Sequence, residues 1–220
     1  MTFSILAQDL SSGAFGGAAA TGSLCVGGWV LRGDSRAGLS ASQGAAPSTL
    51  WGEDALSLMR HGHGAQATVE QLTSADRGRD WRQLAALDRT GGAACHTGAL
   101  NTDWKGALIA PGLVVSGNLL AGPQVLEALR DTYLHAAGNI AQRLIAALAA
   151  AEAAGGDTRG LQSAALLVVS NDAAPLSLRV DWAENPIGAL DELFRRSQTG
   201  DYAKWLPTVP TRSDPERGHD

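Results

Sequence analysis

The sequence predicts an α+β fold, a four-layer αββα sandwich of two antiparallel sheets flanked by helix pairs. Three observations lead there. Short apolar runs come as hairpins split by turn residues, and between the hairpins lie pairs of amphipathic helices, not single ones. A strict strand-then-helix alternation would imply a parallel doubly wound sheet, whereas hairpins and helix pairs imply antiparallel sheets with helices on their outer faces. The third is the presence of 27 glycines in 220 residues, which demands many tight turns or close backbone approaches.

The elements follow in order. Thr2 to Gln8 is short and apolar, Asp9-Leu10-Ser11-Ser12-Gly13 has turn residues, and Ala14 to Thr21 is built from small side chains. These read as a hairpin. Leu24 to Leu31 is expected as a further strand, Arg32-Gly33-Asp34-Ser35 as a turn, and Ala37 to Gln43 as the next strand. Ser48 is a candidate N-cap for a helix through Arg60, with Leu50, Trp51, Ala55, Leu58 and Met59 at three- and four-residue spacings. A second helix fits Ala65 to Leu72. Trp81 to Leu87 and Gly92 to Thr97 flank the hairpin signal Asp88-Arg89-Thr90-Gly91, and Leu113 to Ser116 follows Pro111-Gly112. Pro123 suits a first helical residue, having no amide hydrogen to lose there. The helix it opens runs to Gly138, and Asn139 caps an alanine-rich one that stops at Gly155-Gly156. Gln162 to Ser170 and Leu176 to Trp182 pair as strands, and Asn185-Pro186 opens a last helix through Arg195. No boundary invites a second domain, so 1–206 reads as one unit. From Pro207 to Asp220 there is no hydrophobic periodicity, and a disordered tail is expected.

Composition narrows the function. A formal net charge of -5 with no run of Lys and Arg argues against a nucleic-acid surface. No basic segment followed by an apolar core opens the chain, and no stretch approaches eighteen apolar residues, so a cytoplasmic location and no membrane partner are expected. Cys25 and Cys95 lack the spacing of a metal knuckle and read as reduced thiols. His61-Gly62-His63 lacks a third ligand type nearby, and Gly13 to Gly28 lacks the Lys and Ser or Thr of a phosphate loop. No metal and no cofactor is expected.

Chemistry concentrates at the start. Methionine is normally trimmed before a residue as small as threonine, so the mature chain is expected to begin at Thr2, with a free α-amine beside its own hydroxyl. An α-amine titrates near pH 8, so a sizeable neutral fraction at pH 7 can take the hydroxyl proton.

Four segments, Thr2-Phe3-Ser4-Ile5, Trp81-Arg82-Gln83-Leu84, Gly117-Asn118-Leu119-Leu120-Ala121-Gly122 and above all Ala154 to Ala165, give the chain its likeness to known proteins. It resembles the Ntn-hydrolase-like family called domain of unknown function 1028, over nearly its whole length except the tail. The resemblance implies an αββα fold like that of N-terminal nucleophile hydrolases, which cleave amide bonds with an N-terminal Thr, Ser or Cys. Its pattern carries over to Thr2, Gln43, Asn118, Gly156, Asp157, Arg159, Gln162 and Ser163. The chain departs from the pattern at Thr21-Gly22-Ser23, where a basic residue is usual, at Ala46, where Asn is frequent, and near Leu100-Asn101, where a cysteine is common.

These residues suggest roles. Asn118 can donate to an oxyanion or can be a turn residue after Gly117. Asp157 and Arg159 either pair with each other or point into the cleft, where Arg159 would grip a substrate carboxylate. Gln43, Gln162 and Ser163 are expected at the substrate. The leading expectation is a hydrolase for a non-peptide amide, with Thr2 and Asn118 catalytic and a small-molecule amide as partner. A peptidase of the same fold and a catalytically silent binding module are the alternatives. A homo-oligomer is expected because alanine- and glycine-rich faces are poor solvent boundaries.

Overall fold

The computed structural model describes residues 2–218. Ten strands form two antiparallel sheets. The larger has the order β10 (Leu176–Val180), β9 (Ser163–Val169), β2 (Ala14–Thr21), β1 (Thr2–Asp9), β8 (Leu113–Asn118) and β7 (Gly106–Ala110); the smaller has β3 (Leu31–Asp34), β4 (Gly38–Gly44), β5 (Arg82–Asp88) and β6 (Ala93–Thr97). Helices are α1 (Val26–Trp29), α2 (Thr49–Arg60), α3 (Ala65–Ala75), α4 (Gln124–His135), α5 (Ile140–Ala153), α6 (Pro186–Ser197) and α7 (Gly200–Trp205).

Three hydrophobic clusters define the layers. One joins the outer face of the large sheet to α4, α5 and α6 through Phe3, Ile5, Leu126, Leu144 and Leu148. A second lies between the sheets, with Leu6, Phe15, Leu39, Leu87 and Val114. The third packs α2 and α3 on the small sheet around Trp51, Met59 and Leu84. Alternation along β1 makes this work: Phe3 and Ile5 face the helices, Leu6 the second sheet. The αββα layering expected from the sequence is therefore observed, with α6 joining the α4–α5 pair.

Helix starts follow local chemistry. Ser48 accepts from the Trp51 amide, and Asn139 and Gln142 form a reciprocal capping box. On β2, Gly16 lets α5 approach: a Cβ there would lie 2.6 Å from Leu144 Cδ1 and 2.8 Å from Ile140 Cδ1.

Helix α3 begins at Gly64, which has no capping side chain. Asp88, at the end of β5, supplies the cap from another element: its carboxylate accepts from the Ala65 amide at 2.8 Å, the Thr90 amide and hydroxyl at 2.9 and 2.6 Å, and the Gly92 amide at 3.0 Å. Burial alone would raise its pKa, but the Thr90 hydroxyl and the three amides outweigh it and hold the group below its ordinary value. A lowered folded pKa stabilises the protein above the ordinary carboxylate range, and that stability is lost as pH falls through the folded value. Thermal melts should therefore fall steeply below about pH 4. Asp88→Asn should melt lower at pH 7 and flatten this acid limb; an unchanged limb would remove Asp88 as its source.

The structure corrects four expectations. Residues 24–30 are not a strand. Cys25 takes a left-handed conformation (φ 61°) and α1 follows, held by Val26 N–H to Ser163 Oγ at 3.1 Å. Gly27 allows this turn to sit on the sheet, since a Cβ would meet Arg179 Cγ at 2.6 Å. Residues 31–34 are β3, and the turn comes one step later, with Ala37 N–H bonded to Asp34 O. Strand β7 and helix α7 were not foreseen: β7 is a half-buried edge strand, and α7 buries no residue, so neither carries a clear period. The stretch from Pro207 makes definite contacts as far as it is described. Thr211 is buried, Ser213 N–H donates to Asn171 O, and Arg212 pairs with Asp34.

Among the described residues, no helix is long and apolar enough to cross a membrane, and no three His, Cys, Asp or Glu side chains gather as metal ligands.

Candidate active site

Thr2 opens β1, the strand flanked by β2 and β8. It pairs in register with Asn118 on β8, and its hydroxyl donates to Thr21 Oγ1 on β2 at 3.3 Å. The residue is 6 % exposed, yet it lines a cavity of about 350 Å³. Gln43 and Gly44 from β4, Arg159, and apolar Val26, Trp29 and Pro47 complete much of the wall. The expected trimming of Met1 falls on a residue outside the described ones.

The sequence-predicted residues divide by depth. Thr2, Gln43 and Arg159 meet at the cavity. Asp157, Gln162 and Ser163 do not line it; they hold its wall. The Asp157 carboxylate is fully buried, accepts from the Gly22 amide at 2.6 Å and pairs with Arg159 at 3.2 Å. Arg159 also donates to Ser23 Oγ at 3.2 Å, so its guanidinium is aimed and not loose. Gln162 donates to Gly22 O at 3.0 Å and Ser163 to Ser23 O at 2.7 Å. The loop 21–26 is thus clamped by side chains from the other end of the chain, and Gly155 (φ 118°) and Gly156 (φ 48°) let the chain turn just after α5. Of the two readings of Asp157 and Arg159, mutual pairing is observed, with Arg159 also reaching the cavity.

Asn118 is 2 % exposed and does not line the cavity; its amide donates to Gln83 Oε1 at 3.1 Å. Gln83 is the residue that sequence reasoning passed over. It is fully buried on β5, opposite Gln43 in the β4–β5 register. Its Nε2 donates to Gly117 O at 3.0 Å, Gly106 O at 3.1 Å and Thr97 Oγ1 at 2.8 Å. Two carbonyl acceptors fix which way this amide points. Its Oε1 must therefore face Gln43 Nε2 at 2.7 Å and Asn118. That in turn fixes Gln43, whose Nε2 also lies 3.4 Å from Thr2 O and from Ser116 Oγ, and whose Oε1 has no partner among the described residues. The usable signal was a glutamine near the end of one apolar strand and another near the start of the next, where inward polar groups must find partners.

Backbone strain marks the same region. Leu119 follows Asn118 in a left-handed conformation (φ 55°) and is held there by its N–H to Thr102 O at 2.8 Å. Cys95 is no competing nucleophile: burial pushes its thiol up to about 12.

The model of a family of unknown function, DUF1028, matches residues 2–190. The chain belongs to this family. DUF1028 is also the family of protein SPO2555 from Silicibacter pomeroyi, whose crystal structure resembles this chain with a TM-score of 0.96 at 52% identity, covering 100% of this chain and 99% of that one. No curated protein matches. The DUF1028 match begins at Thr2 and takes in every cavity residue named above.

Proposed function

We propose that the chain is an N-terminal-nucleophile hydrolase that cleaves a non-peptide amide bond through an acyl-enzyme on Thr2. The observation that carries the reading is a threonine on a central strand lining a cavity that an arginine also lines. In this reading Met1 is removed and the Thr2 α-amine becomes the base. The amine takes the Oγ proton as Oγ bonds to the carbonyl carbon. The C–N bond then breaks, and the leaving nitrogen departs with that proton. Water hydrolyses the ester by the reverse use of the amine. Asn118 stands behind the cavity wall but directly across from Thr2 in the β1–β8 register, and its amide carries a second hydrogen beyond the one given to Gln83; it serves the oxyanion once the carbonyl lies against Thr2, and Arg159 grips a substrate carboxylate.

The size of the cavity, about 350 Å³, lies at the lower end of ligand pockets and supports a small substrate over the long groove a peptidase needs. Two measurements test the reading. Intact mass of the mature protein should correspond to a chain beginning at Thr2, and incubation with a panel of small carboxylate-bearing amides should release ammonia or amine. A mature chain that keeps Met1 ends the self-based mechanism. A trimmed chain inert to every amide favours the binding module.

A further inference from the structure

The far end of β1 carries a second cavity, of about 590 Å³, roughly 20 Å from Thr2 at the ordinary rise of a strand. Asp9, Ser11, Tyr133 and Arg143 line it, with apolar Leu10 and Leu134. Two groups there are unusual. Tyr133 is 3 % exposed, and its hydroxyl has no hydrogen-bond partner among the described residues. Such a group is costly to leave unpaired. Arg143 is half-buried, its Cζ 4.2 Å from the Tyr133 ring centroid and its Nε donating to Tyr133 O at 3.0 Å. That bond uses one of its five N–H groups. Among the described residues no carboxylate lies within ion-pair distance of it.

The cavity is therefore rich in unspent donors on one side. Asp9 supplies the opposite charge: its carboxylate is held by Ser11 Oγ at 2.9 Å and Ser12 Oγ at 2.7 Å, and these bonds, Ser12's first, keep its pKa below the ordinary value in spite of burial. It stays ionised at neutral pH. The charges of Asp9 and Arg143 both act on the Tyr133 phenol, so the three groups belong to one locality.

We propose that this cavity binds a small amino acid or amino-acid-like zwitterion, its carboxylate held by Arg143 and the Tyr133 hydroxyl and its ammonium by Asp9. A doubly charged phosphate fits less well, because Asp9 repels it while one arginine attracts it. Leu10 and Leu134 favour an apolar side chain. The assignment is independent of the reading given to Thr2.

Calorimetric titration of the full chain with L-leucine tests it, beside 4-methylpentanoate, which lacks the amine, 3-methylbutylamine, which lacks the carboxylate, and inorganic phosphate. L-leucine should bind saturably, the acid about tenfold more weakly, and the amine and phosphate not measurably. Arg143→Gln should abolish binding. Tyr133→Phe should weaken it about tenfold without lowering the melting temperature, because it deletes only an unpaired hydroxyl and keeps the ring beneath Arg143. Thr2→Ala should bind as the parent does. No saturable heat from L-leucine up to about 10 mM, binding that ignores both cavity variants, or binding of phosphate alone would overturn the proposal.

Discussion

If Thr2 is the nucleophile proposed above, replacing it by alanine should abolish amide turnover, by roughly a thousandfold or more in kcat/KM, while the fold stays intact. The two halves of this result come from different observations. The side chain makes one 3.3 Å hydrogen bond, to Thr21, so its loss costs about 1 kcal/mol or less, a shift of a few degrees in a chain of this size. The chemical loss is large because the same atom would form the covalent bond. Thr2→Ser keeps a hydroxyl and an α-amine and should retain measurable turnover, which separates loss of the nucleophile from disturbance of the strand. Turnover of Thr2→Ala equal to the parent's would remove the nucleophile assignment and leave the cavity as a binding site.

How far the sequence foretold the molecule follows from how each signal arises. The alternation of hairpins with helix pairs was legible because both layers of each helix–sheet interface leave a period: Leu126 and Leu129 on α4 and Leu144 and Leu148 on α5 repeat at helical spacing, and all are buried. The turn at 25–29 was not, since Leu-Cys-Val-Gly-Gly-Trp suits a strand until Ser163, some 140 residues away, pins Val26. A half-buried edge strand such as β7 has no strongly covered face to impose a pattern. The site divides in the same way. Thr2 stands out by following the initiator methionine and Arg159 by its charge beside Asp157 before an apolar strand, whereas Gln162 and Ser163, expected at the substrate, hold the 21–26 loop, a distinction that depends on which wall they stand behind. Gln83 could not be assigned at all without the β4–β5 register that sets it against Gln43.

That register makes Gln83 a position where losing one polar side chain should cost several kcal/mol in stability. Gln83→Met keeps the length of the side chain and removes all its hydrogen bonds. Gly106 O and Gly117 O lose a donor, Asn118 Nδ2 and Gln43 Nε2 lose their acceptor, and Gln43 is left with two partners at 3.4 Å. Each buried group so orphaned costs about 1–3 kcal/mol, and relaxation will recover part, so a loss of about 3–5 kcal/mol is expected. In melting temperature that is roughly 10 °C. Gln162→Met is the control. It also removes a clamp beside the cavity, but only one bond on an exposed residue, and should cost about 1 kcal/mol. Urea denaturation of the two variants reads the contrast directly. On the proposed mechanism, acylation of Thr2 should be slower even at a temperature where Gln83→Met remains folded, because Gln43 and Asn118, both set by the Gln83 carbonyl, flank Thr2 from β4 and β8. A Gln83→Met protein within about 1 kcal/mol of the parent would show that the network only fills space between the sheets and orients nothing.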